Sequence, residues 1–114
     1  VTHLEADWAS IRAQYVNPLL KYGKPIMFTE VGYRNITSDH LNPWVYSASS
    51  THDSAEQVRD YTALLAYWRG FAWWGGVTWW NWDVSPVDGS TNNDYTVQHK
   101  PAEATMRAYF AHNG

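Results

Sequence analysis

Glu30 is the one glutamate in this chain that closes an apolar run. It sits in "KPIMFTEVGY", Lys24 to Tyr33, with Gly32 two residues later. Glu5, Glu56 and Glu103 fall at expected helix starts, where solvent or the helix dipole accounts for them. A carboxylate carried to a strand end has two readings: it is half of a structural salt bridge, or a reactive group held rigidly over a cleft. The second chemical signal is aromatic. Eight Trp and eight Tyr in 114 residues are more large rings than a domain this small hides easily. Aromatic faces suit the C–H faces of sugars and also make good core, so both uses stay open. Trp79, Trp80 and Trp82 cluster at the end of a second apolar run. Alternation along a strand puts Trp80 and Trp82 on one side and Trp79 on the other. Asn81 and Asp83 are the short polar groups beside them. Trp44 stands in a long loop, as outer platform or loop anchor. Tyr33 follows Gly32, and its hydroxyl binds a ligand or its ring packs.

Other chemistries are disfavoured. A formal net charge of −3 argues against phosphate-backbone binding, so no nucleic-acid partner is expected. No cysteine means no disulfide and no thiolate chemistry. His3, His40, His52, His99 and His112 are scattered without a ligand spacing, so no metal is expected. "DGSTNND", Asp88 to Asp94, lacks the order of a calcium loop. Asn35-Ile36-Thr37 fits a glycosylation acceptor. Neither a phosphate-cradling glycine loop nor a GxSxG elbow occurs, and no cofactor is expected. No apolar run is long enough to span a bilayer. A soluble chain is expected, cytoplasmic or secreted, with the compartment unknown. Val1 is not an initiator methionine, so the chain is expected to be processed or cut from something longer.

The elements that must position these residues alternate. Leu4, Trp8, Ile11, Tyr15 and Leu19 form a helical stripe, with Thr2 as cap and Pro18 as a break. Ile26 to Phe28 is a short continuous apolar run, as in a sheet covered on both faces. Residues 34–54 read as a long loop, which is usually functional. Ser54 caps a second helix in a capping box with Gln57, and Val58, Tyr61, Leu65 and Trp68 form its buried stripe. Val77 to Trp80 is the second strand, with Gly75 and Gly76 just before it and Trp73 and Trp74 packed at the far end. Pro101 opens the last helix. Helix, strand, loop, helix, strand, loop, helix implies a parallel sheet with helices outside it. Two strands do not complete such a sheet. Long loops follow both strands, and in a β/α barrel those loops form the catalytic mouth.

"KPIMFTEVGYR", "PW", "AEQVRDYTALLAYW", "WWNW" and "KPAEATMRAYF" together resemble the C-terminal quarter of a clan A glycoside hydrolase, and most closely glycoside hydrolase family 113, the β-mannanases. The resemblance covers nearly the whole chain. It implies an α/β fold: the end of a (β/α)8 TIM barrel, from helix 6 to helix 8, with residues 1–114 as an incomplete segment of that domain. It implies a retaining hydrolase of β-1,4-linked mannan or manno-oligosaccharides, with Glu30 as nucleophile at the end of the seventh strand. Arg34, or an arginine or tyrosine from another strand, would keep Glu30 ionised. The acid/base glutamate belongs to the fourth strand, outside this chain. Trp80 or Trp82 would form the floor under the sugar at the cleavage point, Asp83 would bond sugar hydroxyls or cap a turn, Trp44 would hold an outer sugar, and Tyr33 would line the mouth. The implied partners are an oligosaccharide or polysaccharide and the remaining N-terminal strands of the barrel, in the same or another chain. A non-catalytic carbohydrate-binding or structural fragment is the alternative.

Overall fold

Helix α1, Thr2–Ile11, loosens into a π-helical turn, Arg12–Val16, then tightens into a 3-10 helix, Asn17–Tyr22. In this computed structural model residues 2–47, 49–86 and 92–113 are described. The π turn resets the expected stripe, because its i→i+5 bonding widens the helix by a residue per turn. Trp8, Val16 and Leu20 face the core, while Ile11, Tyr15 and Leu19 point to solvent. Thr2 is already the first helical residue rather than its cap. Pro18 lies in the first turn of the 3-10 helix, where its missing donor costs nothing.

Strand β1, Ile26–Val31, pairs in parallel with β2, Trp74–Trp79. Strand β2 therefore starts three residues earlier than the sequence suggests, and both glycines lie inside it. The Ile26↔Trp74 and Met27↔Gly76 pairs leave Gly75 as an extra residue. Gly76 has φ 109°, a conformation that side chains resist. Ile26, Phe28, Val31, Trp74 and Trp79 face the helices. Met27, Thr29 and Thr78 lie on the opposite face and are exposed, so the sheet is covered on one side only. The Thr78 hydroxyl donates to the Thr29 carbonyl across that open face.

Helix α2, Ser54–Trp68, packs between α1 and α3, Pro101–Asn113. Its cap is Asp53, not Ser54: the Asp53 carboxylate accepts the Glu56 N–H at 3.0 Å. Its buried face is wider than an apolar stripe, because it includes Glu56, Gln57 and Asp60 besides Tyr61, Leu64, Leu65 and Trp68. Trp68 is the hub of the core. Trp8, Phe28, Trp73 and Trp74 all stack on or edge against its ring, with centroids 5.0–5.9 Å away. Trp73 and Trp74 thus pack at the end of the sheet where β2 begins.

The β1–α2 loop is more ordered than its sequence suggests. An Ile36–His52 bridge and the Thr37 N–H to Thr51 carbonyl bond close it, and Asp39–Leu41 forms a 3-10 turn. Among the described residues no helix is long and apolar enough to cross a membrane.

The open sheet face and the rings outside it have a consequence. Residues 1–114 expressed alone are expected to self-associate or aggregate, because β1 and β2 are both edge strands with apolar neighbours. Met27, Trp80, Trp82 and Phe110 are each about half exposed, at 49, 52, 57 and 51%. Sedimentation velocity checks this, and a dilute monomer with one cooperative unfolding transition would refute it.

Candidate active site

A bulge aims Glu30. Phe28 pairs with Val77 and Val31 with Trp79, so two residues of β1, Thr29 and Glu30, oppose the single Thr78. Phe28 and Val31 both pack toward the helices, and Thr29 and Glu30 are both exposed on the open side. Strict alternation would have turned Glu30 inward beneath the helices, and the extra residue turns it out.

The strand ends are then drawn together. The Trp80 N–H donates to the Val31 carbonyl at 2.7 Å. Gly32 lies directly against Trp80: a Cβ there would overlap the Trp80 carbonyl oxygen and stand 3.1 Å from Tyr95 Cδ1. The result is a cleft of about 440 Å³ at the C-terminal ends of both strands. Glu30 and Trp80 share it with Trp44, Tyr46 and Tyr95, and Trp8 reaches it from α1. Trp44 and Tyr46 are 73% and 79% exposed. The Tyr95 hydroxyl donates to the Pro43 carbonyl at 2.6 Å and so fixes the loop next to Trp44.

The other expected site residues are distributed differently. Trp82 does not share a side with Trp80. Strand β2 ends at Trp79, so alternation no longer governs the residues beyond it, and Trp82 lies in a groove against Met106 and Phe110 of α3. Trp79 packs edge-on to Tyr61 at 5.1 Å. Asp83 is built into a turn: its N–H donates to Gln98 Oε1 at 2.6 Å, its carbonyl accepts from Gln98 Nε2 at 2.9 Å, and its carboxylate accepts from Asn81 at 2.8 Å. Tyr33 borders the cleft, but its ring is buried edge-on to Tyr61 at 5.5 Å. Burial, with Asp60 nearby, raises its hydroxyl pKa above the usual tyrosine value. Arg34 Nε donates to the Asn93 carbonyl at 2.7 Å. Asp88 lies outside the described residues, and so does most of the loop quoted around it.

Tyr46 and Tyr95, like Trp8, line the cleft without a motif in the sequence that marks them. The available signal was their type and place: both are rings in the loops that follow the strands. Beneath the cleft a polar network joins those two loops. Buried Lys100 donates through Nζ to Asn35 Oδ1 at 2.9 Å and to the Asp94 carbonyl at 2.8 Å. Burial lowers its pKa from the usual lysine value, opposed by Asp94. Asn35 Nδ2 donates to the Asn92 carbonyl at 2.8 Å, and Gln57 Nε2 donates to the Tyr33 carbonyl at 2.8 Å. Asn35 is fully buried, so the Asn35-Ile36-Thr37 glycosylation match is closed off in this fold. Behind Tyr33, burial and the nearby Glu56 and Asp39 carboxylates push Asp60 up to about 8.

Comparison with known proteins gives this arrangement its context. The sequence matches Glycoside Hydrolase Family 113 over residues 3–100. The chain belongs to glycoside hydrolase family 113. Comparison with curated protein sequences finds no match. Among solved structures, a complex of a family 113 β-1,4-mannanase superposes with a TM-score of 0.87 at 25% identity, over 94% of this chain and 36% of that one. Another structure of a family 113 β-1,4-mannanase gives 0.86 at 26% identity, with the same coverage. The family 113 β-mannanase AaManA from Alicyclobacillus acidocaldarius, in complex with ManMIm, gives 0.76 at 28% identity, over 88% of this chain and 34% of that one. The chain therefore has the fold of about a third of a family 113 (β/α)8 barrel, and it spans about a third of the length of the solved structures it matches.

Proposed function

We propose that residues 1–114 form the C-terminal part of a retaining glycoside hydrolase barrel that cleaves β-1,4-linked mannan or manno-oligosaccharides. In this reading β1 and β2 are the seventh and eighth strands and α1 the sixth helix. Glu30 attacks the anomeric carbon and forms a covalent glycosyl-enzyme. A second carboxyl about 5–5.5 Å away, from a strand outside residues 1–114, protonates the leaving oxygen and then activates the water that releases the sugar. One observation carries the reading: in a family 113 chain, a bulge turns Glu30 out into a cleft beside exposed tryptophans. Trp80, beside Glu30, is the floor for the sugar at the cleavage point. Of the remaining expected contacts, Tyr33 supports the cleft from behind, while Asp83 holds a turn and Trp82 lies in the separate groove against α3.

The direct test is hydrolysis of β-1,4-manno-oligosaccharides by the full-length protein, followed by NMR. A first-formed product of retained configuration is expected. An inverted product, or no cleavage of any β-linked oligosaccharide, would overturn the reading.

Trp44 supplies a graded prediction. Its exposed ring lines the same cleft as Glu30, and in this reading it holds an outer sugar. Trp44→Ala is expected to lower kcat/KM on long oligosaccharides by about 10–100-fold, at about 1–3 kcal/mol for a lost ring contact, and to leave the shortest substrates nearly unchanged. Equal losses on short and long substrates would make Trp44 a loop anchor.

A further inference from the structure

We propose that His40, Glu56 and Asp60 form a binding site for a divalent transition-metal ion, of which zinc is the best-fitting example. The three side chains come from two elements behind the cleft. Glu56 and Asp60 are one helical turn apart on α2, and His40 sits on the Asp39–Leu41 turn of the β1–α2 loop. One nitrogen or oxygen from each lies within 4.8 Å of the others.

The decisive group is Asp60. It is 2% exposed, and neither carboxylate oxygen accepts a hydrogen bond from a described residue. A buried carboxyl group without a hydrogen-bond partner is costly, and coordination of a cation removes that cost. The neighbours are already engaged. Glu56 is 7% exposed and accepts from Arg59 Nη2 at 2.6 Å through Oε2, while Oε1 meets His40 Nδ1. Asp39 is 4% exposed and accepts the Arg34 backbone N–H at 2.7 Å. Arg59 Nη2 also reaches Asp53, at 3.3 Å.

One imidazole nitrogen and two carboxylates suit a borderline cation such as zinc better than calcium, which prefers six to eight oxygens. Two carboxylates balance its charge. Tetrahedral zinc with ligands at about 2.0–2.2 Å sets them about 3.3 Å apart, so the direct His40 Nδ1–Glu56 Oε1 contact opens to admit the ion. A water fills the fourth position. The ion would fasten the Asp39–Leu41 turn to α2, and Pro43 and Trp44 follow that turn by two and three residues. Its role is therefore to stiffen the loop that carries Trp44. No part of this site lines the cleft that holds Glu30.

The test uses the full-length protein, stripped with a chelator and titrated with zinc alone by calorimetry. One equivalent of tightly bound zinc is expected, together with a raised Tm. His40→Gln and Asp60→Asn should each weaken that binding by more than about tenfold, since even the outer partners of metal ligands are worth 10–100-fold. His40 is 30% exposed, so His40→Gln keeps the fold should Asp60→Asn lose it. Cobalt in place of zinc should give visible absorption bands that His40→Gln removes. The absence of a stoichiometric zinc site, unchanged affinity in His40→Gln, or binding of calcium in preference to zinc would each overturn the proposal. None of these readouts depends on hydrolysis, so this proposal and the glycosidase reading fail separately.

Discussion

Glu30→Gln in the full-length protein is expected to reduce turnover of natural oligosaccharides by on the order of 10⁴–10⁶-fold, while oligosaccharide binding stays nearly intact. The amide keeps the size of the side chain and removes the charge that attacks carbon in the proposed reading. Glu30→Asp isolates position from charge. Its carboxylate is withdrawn by roughly 1 Å, and a misplacement of that size costs about 100-fold. Glu30→Ala opens space under the anomeric carbon for a small anion. With azide present, one displacement replaces two, so the glycosyl azide should have inverted configuration. NMR of that product assigns the role. A retained azide product would make Glu30 the acid/base, and full activity in Glu30→Gln would leave it a structural carboxylate.

Gly32→Ala is expected to lower kcat/KM by about 100-fold or more without unfolding the protein. The new methyl group falls on the Trp80 carbonyl oxygen and 3.1 Å from the Tyr95 ring. A ring can turn away. A backbone carbonyl one residue past the end of β2 cannot move without its neighbours. The strand ends must part, and the 2.7 Å bond from the Trp80 N–H to the Val31 carbonyl lengthens or breaks. Overpacking of this kind costs about 1–3 kcal/mol. The larger effect falls on chemistry, because Glu30 and Trp80 are the groups displaced and about 1 Å suffices for a 100-fold loss. Steady-state kinetics and thermal unfolding check both parts. Wild-type kcat/KM in Gly32→Ala would mean that the strand ends are not in contact during turnover.

Local signals in the sequence were legible and pairwise ones were not. The order of helices and strands follows from apolar spacing, and Glu30 stands out because every other glutamate falls at a helix start. Pro101 and Pro18 punctuate helices as their missing donors require. A π turn leaves no mark in residue spacing, so the apolar spacing of α1 points to Tyr15 and Leu19 where Val16 and Leu20 enter the core. Asp53 and Ser54 are both good caps, and only the backbone path selects Asp53. The bulge at Thr29 and Glu30 depends on how β1 registers against β2, which is 48 residues away from Ile26 to Trp74. Strand alternation groups Trp82 with Trp80, but the strand stops at Trp79. His40, Glu56 and Asp60 carry no joint signal, since a loop and a helix must fold together before they meet.

The network around Lys100 also limits how this barrel mouth can be re-engineered. Lys100 and Asn35 tie residues 92–94 to the base of the loop that carries Trp44, and the Tyr95 hydroxyl holds the same loop at Pro43. The two loops are therefore one transplantable module rather than two. A chimaera that imports residues 34–53 from a relative must import the matching residues 92–100 with it. If it does not, a buried ammonium group faces the wrong partner and the new platform loses its footing.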